Sequence, residues 1–330
     1  MNAIYKLSQN HELNEELLLM FLGSVFEGKE IEYEKKPVMY KGSADSVICI
    51  FKLLKSQCQP GLHLVLKILP EGKNASSFTR INHATDTLLR LGLKIPRIYA
   101  VGISQDLLGG SFILMEYLTG ESLLSYPLFL QMDILGKSHA RMHNTDYRPL
   151  IEQFSSKEIN GNQYLGSLII PRKLTYIVQR IPDILPVVEW CLRHSNLWEE
   201  DLCICHGDYY PGNILMNENQ ISGILDWGFS LSSALMDIAW TLTLLSPPSV
   251  TKSDQYPELM NISSQAAAYL KAYQEQEQLD IEKIMQCRVV SSVFGLYFHR
   301  YKLNPFFAQK AVKIQFQDYI QCMTGIDIDH

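Results

Sequence analysis

The stretch CHGDYYPGNILMNENQISGILDWG, residues 205–228, sets one His and two Asp among short apolar runs. Ile214, Leu215 and Met216 read as a strand, Asn217–Gln220 as a turn, and Ile221–Asp226 as the returning strand. A hairpin brings its two ends together, so Asn213, just before the first strand, and Asp226, closing the second, are expected to be neighbours. Asp208 lies five residues before Asn213, on a loop shaped by Gly207, Pro211 and Gly212. Two oxygen ligands side by side suit a hard cation such as Mg2+. A third carboxylate off the metal suits a base, or an acceptor that orients a hydroxyl nucleophile. Phosphoryl transfer needs both: a cation to neutralise phosphates and a carboxylate to aim the attacking oxygen. Taken singly, Asp208 and Asn213 would pass as turn caps and Asp226 as a strand end; it is their combination that points to a site.

Upstream, the texture divides. Residues 11–27 read as an amphipathic helix. Glu32–Leu53 reads as two strands joined through Lys41–Ser46, and Gly61–Pro70 as a third stopped by Pro70. A helical spacing follows over Thr79–Leu91, then two further strands over 95–104 and Gly109–Leu118. From Thr119 onward helical patterns dominate: Asp133–His143, Pro171–His194, and Ala234 to the end, with a loop at Ser246–Asp254. The expected layout is α+β, with a sheet-rich segment over 1–118 and a helical segment over 119–330 that carries the polar hairpin.

Composition narrows the function class. The chain has 330 residues, 47% hydrophobic and 19% charged, enough for a sizeable core. Its net charge of −6 is uneven: residues 1–150 hold 16 Lys+Arg against 15 Asp+Glu, leaving 13 against 20 in 151–330. An acidic second half argues against nucleic acid as partner. The seven scattered cysteines do not suggest a disulfide framework and fit the cytoplasm. Cys203 and Cys205 are one residue apart with no second Cys/His pair at ligand spacing, which argues against zinc. The apolar run Leu17–Phe26 is too short to span a membrane, and no secretory leader pattern is visible.

The stretch HGDYYPGNIL…ILDWG resembles the signature of the aminoglycoside phosphotransferase and choline kinase-like family, which runs H-G-D-x-x-x-x-N-x-L, a hairpin, then I-D-W. GKSHARMH (Gly136–His143), MDIAW (Met236–Trp240) and ILMEYLTG (Ile113–Gly120) resemble further segments of that family. The resemblance implies a protein-kinase-like bilobal fold, with an antiparallel-sheet N-lobe and a mainly helical C-lobe. It implies Asp208 as the catalytic carboxylate and Asn213 and Asp226 as Mg2+ ligands. His206 would support the catalytic loop, and Asp237 would tie the helical segments together. Lys67 would contact the α- and β-phosphates of ATP or GTP. Gly42, Ser43 and Ser46 would lie in a loop covering the phosphates, and the backbone of Met115, Glu116, Tyr117 and Leu118 would meet the base.

One departure stands out. The helix after the lysine strand carries a Glu in that family, whereas Ser77–Gly92 has none; its single acid is Asp86, and Asn82 or His83 falls nearer the expected place. The main expectation is a small-molecule O-phosphotransferase; the alternative, motivated by the missing Glu, is a nucleotide-binding pseudokinase with a regulatory role. A protein kinase is disfavoured because nine residues between Trp227 and Asp237 leave no room for a peptide-docking segment. Acceptor-site candidates are Tyr209, Tyr210 and the run Phe294–Tyr301. The cluster Glu199, Glu200 and Asp201 would suit a cation if it faced the site, and Trp190 and Trp240 read as core residues.

Overall fold

The computed structural model describes residues 14–26, 31–41, 46–54, 61–69, 75–103, 108, 110–199, 201–248, 263–303 and 305–328. Gly42, Ser43, Pro70, Gly109, Glu200 and most of the Ser246–Asp254 loop lie outside them. The chain forms two compact units, Met1–Gly120 with Ser222–Ile224, and Glu121–Ile221 with Leu225–His330.

In the first unit, α1 (Glu15–Val25) is capped by Asn14, whose Oδ1 accepts the Leu17 N–H at 3.0 Å. Then come β1 (Tyr33–Lys41), β2 (Val47–Leu53), β3 (His63–Ile68), α2 (Ser76–Arg90), β4 (Ile98–Gly102) and β5 (Phe112–Glu116). The strands build one antiparallel sheet in the order β1-β2-β3-β5-β4. Alternation decides its faces. Val47, Cys49, Phe51 and Leu53 of β2, with Leu64, Leu66 and Ile68 of β3, are buried, and Leu18 and Leu22 of α1 join the same core. Each such side chain contributes roughly 1.5–3 kcal/mol by leaving water. Lys67 falls between Leu66 and Ile68, so it projects from the opposite face of β3, half-buried, opposite Ile48 and Ile113.

The second unit, to which all of the following belong except Ser222–Ile224 of β9, runs β6 (Glu121–Ser122), α3 (Leu128–His143), α4 (Arg148–Ser156), α5 (Gly166–Val178), α6 (Leu185–Arg193), α7 (Asn196–Glu199), β7 (Leu202–Cys205), β8 (Ile214–Asn217), β9 (Gln220–Ile224), β10 (Ser230–Ser233), α8 (Ala234–Leu245), α9 (Ser264–Gln274), α10 (Ile281–Arg300) and α11 (Lys310–Thr324). It is mainly helical. Close packing of α3 on α9 depends on Gly136: a Cβ there would meet the Tyr269 carbonyl oxygen at 2.5 Å and the Ala272 Cβ at 2.7 Å. Two small ladders, β7 with β10 and β6-β8-β9, interrupt the helices.

The structure corrects several expectations. The helical reading of Pro171–His194 resolves into two helices: Pro171 lies inside α5, which ends at Val178, and α6 begins at Leu185. β9 ends at Ile224, so Asp226 follows the strand instead of closing it, in a left-handed conformation (φ 57°). Asp is among the few residues that tolerate that region.

Candidate active site

β7 pairs antiparallel with β10, Cys205 opposite Ser230. The chain therefore leaves β7 at His206 beside the point where it enters β10, and the Gly228 N–H donates to the His206 carbonyl at 2.8 Å. Gly207, at φ 83°, turns the loop in a conformation that favours glycine. A short helical turn over Pro211–Asn213 then leads into β8. The Leu225 N–H closes the hairpin base on the Asn213 carbonyl at 2.8 Å, which sets Asn213 beside the residue preceding Asp226.

His206 is fully buried and its tautomer follows from its partners. Nδ1 accepts the Asp208 N–H at 3.1 Å, so Nε2 carries the proton and donates to the Leu225 carbonyl at 2.9 Å. Burial lowers its pKa, in keeping with a neutral ring. This imidazole thus joins the loop bearing Asp208 to the segment bearing Asp226.

The Asp208 carboxylate has a donor on each oxygen. Asn213 Nδ2 donates to Oδ2 at 3.1 Å and to the Asp208 carbonyl at 2.9 Å. The Trp240 indole N–H approaches Oδ1 at 3.4 Å. Burial raises the Asp208 pKa, against the lowering effects of nearby His206 and of these two donors. Asn213 spends its nitrogen on Asp208, which leaves Oδ1 as the atom that could hold a hard cation. A carboxamide oxygen and a carboxylate such as that of Asp226 are the donor types that could hold Mg2+.

Beneath the loop, Asp237 of α8 is buried and accepts the N–H groups of His206 (2.7 Å) and Gly207 (2.8 Å). Its Oδ2 also lies 3.1 Å from His139 Nε2 and 3.4 Å from His143 Nε2, both on α3. The other ring nitrogens meet α9, His139 Nδ1 at Tyr269 Oη (2.7 Å) and His143 Nδ1 at Tyr273 Oη (2.8 Å). Burial, reinforced by His143, lowers His139 to about 3. Burial also lowers His143, but hydrogen bonds to Asp237 and Cys205 overcome it and raise the group to about 9. Despite its burial, Asp237 is held well below the usual carboxylate range by the two histidines. These directions favour a protonated His143 facing Asp237 and a neutral His139 beside it.

His139 and His143 were not singled out as site residues in the sequence, although their i, i+4 spacing inside SHARMH places them on one helix face. His143 also lies near the Cys203 and Cys205 thiols, within ligand reach of one another. The two Sγ atoms are 3.7 Å apart and both donate to the Ser232 carbonyl. Hydrogen bonding with Cys203 and burial push the Cys205 thiol well above its ordinary range, so it stays protonated.

Two acceptor-site expectations change. Tyr209 is buried, stacks on His139 and donates to Ser138 Oγ at 2.7 Å, which makes it a core residue. Trp240, expected in the core, is half-buried with its N–H toward Asp208. Tyr210, Phe294, Tyr297 and Phe298 are half-buried, while Asp201 is exposed.

In the first unit, Ser46 is buried at the start of β2. Met115 and Glu116 end β5, followed by Tyr117 and Leu118. The Glu116 N–H donates to the Arg97 carbonyl (2.8 Å) and the Tyr117 N–H to the His63 carbonyl (2.9 Å), so neither amide is open to a base. On α2, Asp86 is exposed with Arg97 Nη1 at 3.9 Å.

Residues 52–282 match the model of the phosphotransferase enzyme family. The chain belongs to that family. Solved structures similar to this phosphotransferase include a thermostable mutant of aminoglycoside phosphotransferase APH(4)-Ia in ternary complex with AMP-PNP and hygromycin B (12% identity, 94% of this chain and 99% of that one, TM-score 0.57). Two others are a protein of Ralstonia eutropha JMP134 assigned as an aminoglycoside phosphotransferase (16%, 93% and 98%, 0.55) and one of Haemophilus somnus 129PT assigned as a fructosamine-3-kinase (17%, 93% and 96%, 0.54). At these identities the likeness is one of fold, and the phosphotransferase has the α+β, kinase-like architecture of these enzymes. No curated protein matches the chain. No helix among the described residues is long and apolar enough to cross a membrane.

Proposed function

We propose that the protein transfers the γ-phosphate of ATP or GTP to a hydroxyl of a small molecule. The observation that carries this reading is the Asp208 carboxylate held by Asn213, with the hairpin base setting Asn213 beside the Leu225–Asp226 segment. The AMP-PNP in the APH(4)-Ia complex supports a nucleotide donor, and its hygromycin B supports a small-molecule acceptor.

In this mechanism Asp208 accepts the hydrogen bond of the acceptor hydroxyl and takes its proton as the oxygen attacks the γ-phosphorus, while the bond to the departing nucleoside diphosphate breaks. Asn213 Oδ1 and Asp226 would hold Mg2+, which when bound supplies charge neutralisation to the phosphates. His206 keeps the two loops in register, and Asp237 anchors the catalytic loop from below. Lys67 would pair with the α- and β-phosphates, and the loop of Gly42, Ser43 and Ser46 would cover them. With the Glu116 and Tyr117 amides engaged, base recognition falls to the other backbone groups of Met115–Leu118. The acceptor would be met by the second unit, where half-buried aromatic rings of α10 suit a macrolide, sugar or amino alcohol as well as an aminoglycoside. The cysteines described are free thiols, which suits the cytoplasm.

A nucleotide-consumption screen over aminoglycosides, macrolides, sugars and amino alcohols, with ATP and with GTP, tests the reading; Mg2+-dependent turnover with one class is expected. The alternative, a nucleotide-binding regulatory pseudokinase, is favoured by the absence of Glu from α2 and would give Mg2+–nucleotide binding with no turnover.

A further inference from the structure

Helix α8 meets the catalytic loop residue by residue. Asp237 takes the N–H groups of His206 and Gly207, Trp240 reaches Asp208, and Thr241 Oγ1 donates to the Tyr209 carbonyl at 2.9 Å. Positions 237, 240 and 241 stand at i, i+3 and i+4, one face of a helix, so four consecutive loop residues lie along that face. Three of these contacts hold backbone. Of these α8 contacts, that of Trp240 is the one made to the carboxylate of Asp208.

The indole has little freedom to point elsewhere. Its ring lies 5.7 Å from Phe298, 5.9 Å from the buried Phe307 and 6.2 Å from Phe294, centroid to centroid. An indole N–H is a donor only, and here it is aimed at Oδ1 while Asn213 occupies Oδ2. Two donors on opposite oxygens fix the plane of the carboxylate and leave its remaining lone pairs for an acceptor hydroxyl. The 3.4 Å separation is at the long end for an N–H···O contact.

We propose that Trp240 is a positioning residue for phosphoryl transfer: its indole N–H orients the Asp208 carboxylate toward the acceptor. The inference rests on the reading of Asp208 as the catalytic carboxylate. It makes the aromatic packing of α8 on α10 part of the reaction geometry and not merely core.

Trp240→Phe keeps a ring against Phe298 and Phe307 and removes the donor. The chain has four tryptophans, so the indole resonance lost in Trp240→Phe identifies Trp240 in a 15N-correlated proton spectrum. That resonance is expected to stay protected from solvent exchange in wild type and to shift and lose protection in Asp208→Ala. With Mg-ATP alone as probe and phosphate release as readout, Trp240→Phe is expected to lower kcat about tenfold, the low end for a lost hydrogen bond to a charged group, with KM for Mg-ATP within about twofold. An indole resonance indifferent to Asp208→Ala, or a wild-type kcat in a folded Trp240→Phe, overturns the inference. Equal phosphate release by wild type and Asp208→Ala overturns the catalytic reading beneath it, even where the indole resonance confirms the hydrogen bond.

Discussion

Asp237 Oδ2 accepts the backbone N–H of His206 at 2.7 Å, from inside a core where the carboxylate is fully enclosed. The same side chain serves Gly207, His139 and His143, so all its capacity is spent on groups that have no water to fall back on. Asp237→Ala strands two loop amides and a charged histidine. The expected loss is about 3–5 kcal/mol of unfolding free energy, the range for removing one partner of a buried ion pair. A urea midpoint within error of wild type would show that the cluster carries no stability.

His143 carries the pH dependence of that cluster. Its folded-state pKa of about 9 lies above the ordinary value of 6.5. A raised pKa gives stability that is fully present below about 6.5 and is lost as pH rises through about 9. His143→Gln should therefore trail wild type in thermal midpoint most at pH 6, with the gap narrowing by pH 9. A gap independent of pH across that window would contradict the ion pair.

Gly136 tests the packing of α3 on α9. The backbone there is helical, so the objection to a side chain is steric: Ala would press on the Tyr269 carbonyl and the Ala272 Cβ. Gly136→Ala should destabilise by about 1–3 kcal/mol through overpacking, although Ala is the better helix former by about 1 kcal/mol. An increase in stability would mean that the helices separate at little cost.

Asn213→Ala removes both the brace on Asp208 and the proposed metal oxygen. The Mg2+ concentration giving half-maximal nucleotide turnover should rise at least about tenfold, the scale on which changed metal-site contacts act. A lower kcat with an unchanged Mg2+ requirement would limit Asn213 to positioning Asp208.

The sheet of the first unit is legible because β2 and β3 alternate buried and half-buried residues at a period of two. The hairpin is legible from its turn, which predicts Asn213 near Asp226. The β7–β10 pair is not: LCIC and SLSS are short, the second is polar, and the residues they join are distant in sequence. The His139–Asp237 contact spans 98 positions and has no local signal beyond a helical pair of histidines. Tyr209 and Trp240 exchange their expected roles because residue type does not say which aromatic ring faces Asp208 and which fills the core. The left-handed turn at Asp226 is hidden for a related reason, since an apolar run ending in Asp reads as a continuing strand.

The central claim is that Asp208 aims the attacking hydroxyl while other residues bind the nucleotide. Asp208→Ala tests it most directly, by γ-phosphate transfer from Mg-ATP to the acceptor that the screen identifies, beside a thermal shift with Mg-ATP. The account predicts transfer lowered by at least about a thousandfold with the nucleotide-induced shift retained, since general-base and orienting roles each contribute factors of that order. Turnover within about tenfold of wild type in a variant that still binds Mg-ATP would contradict it.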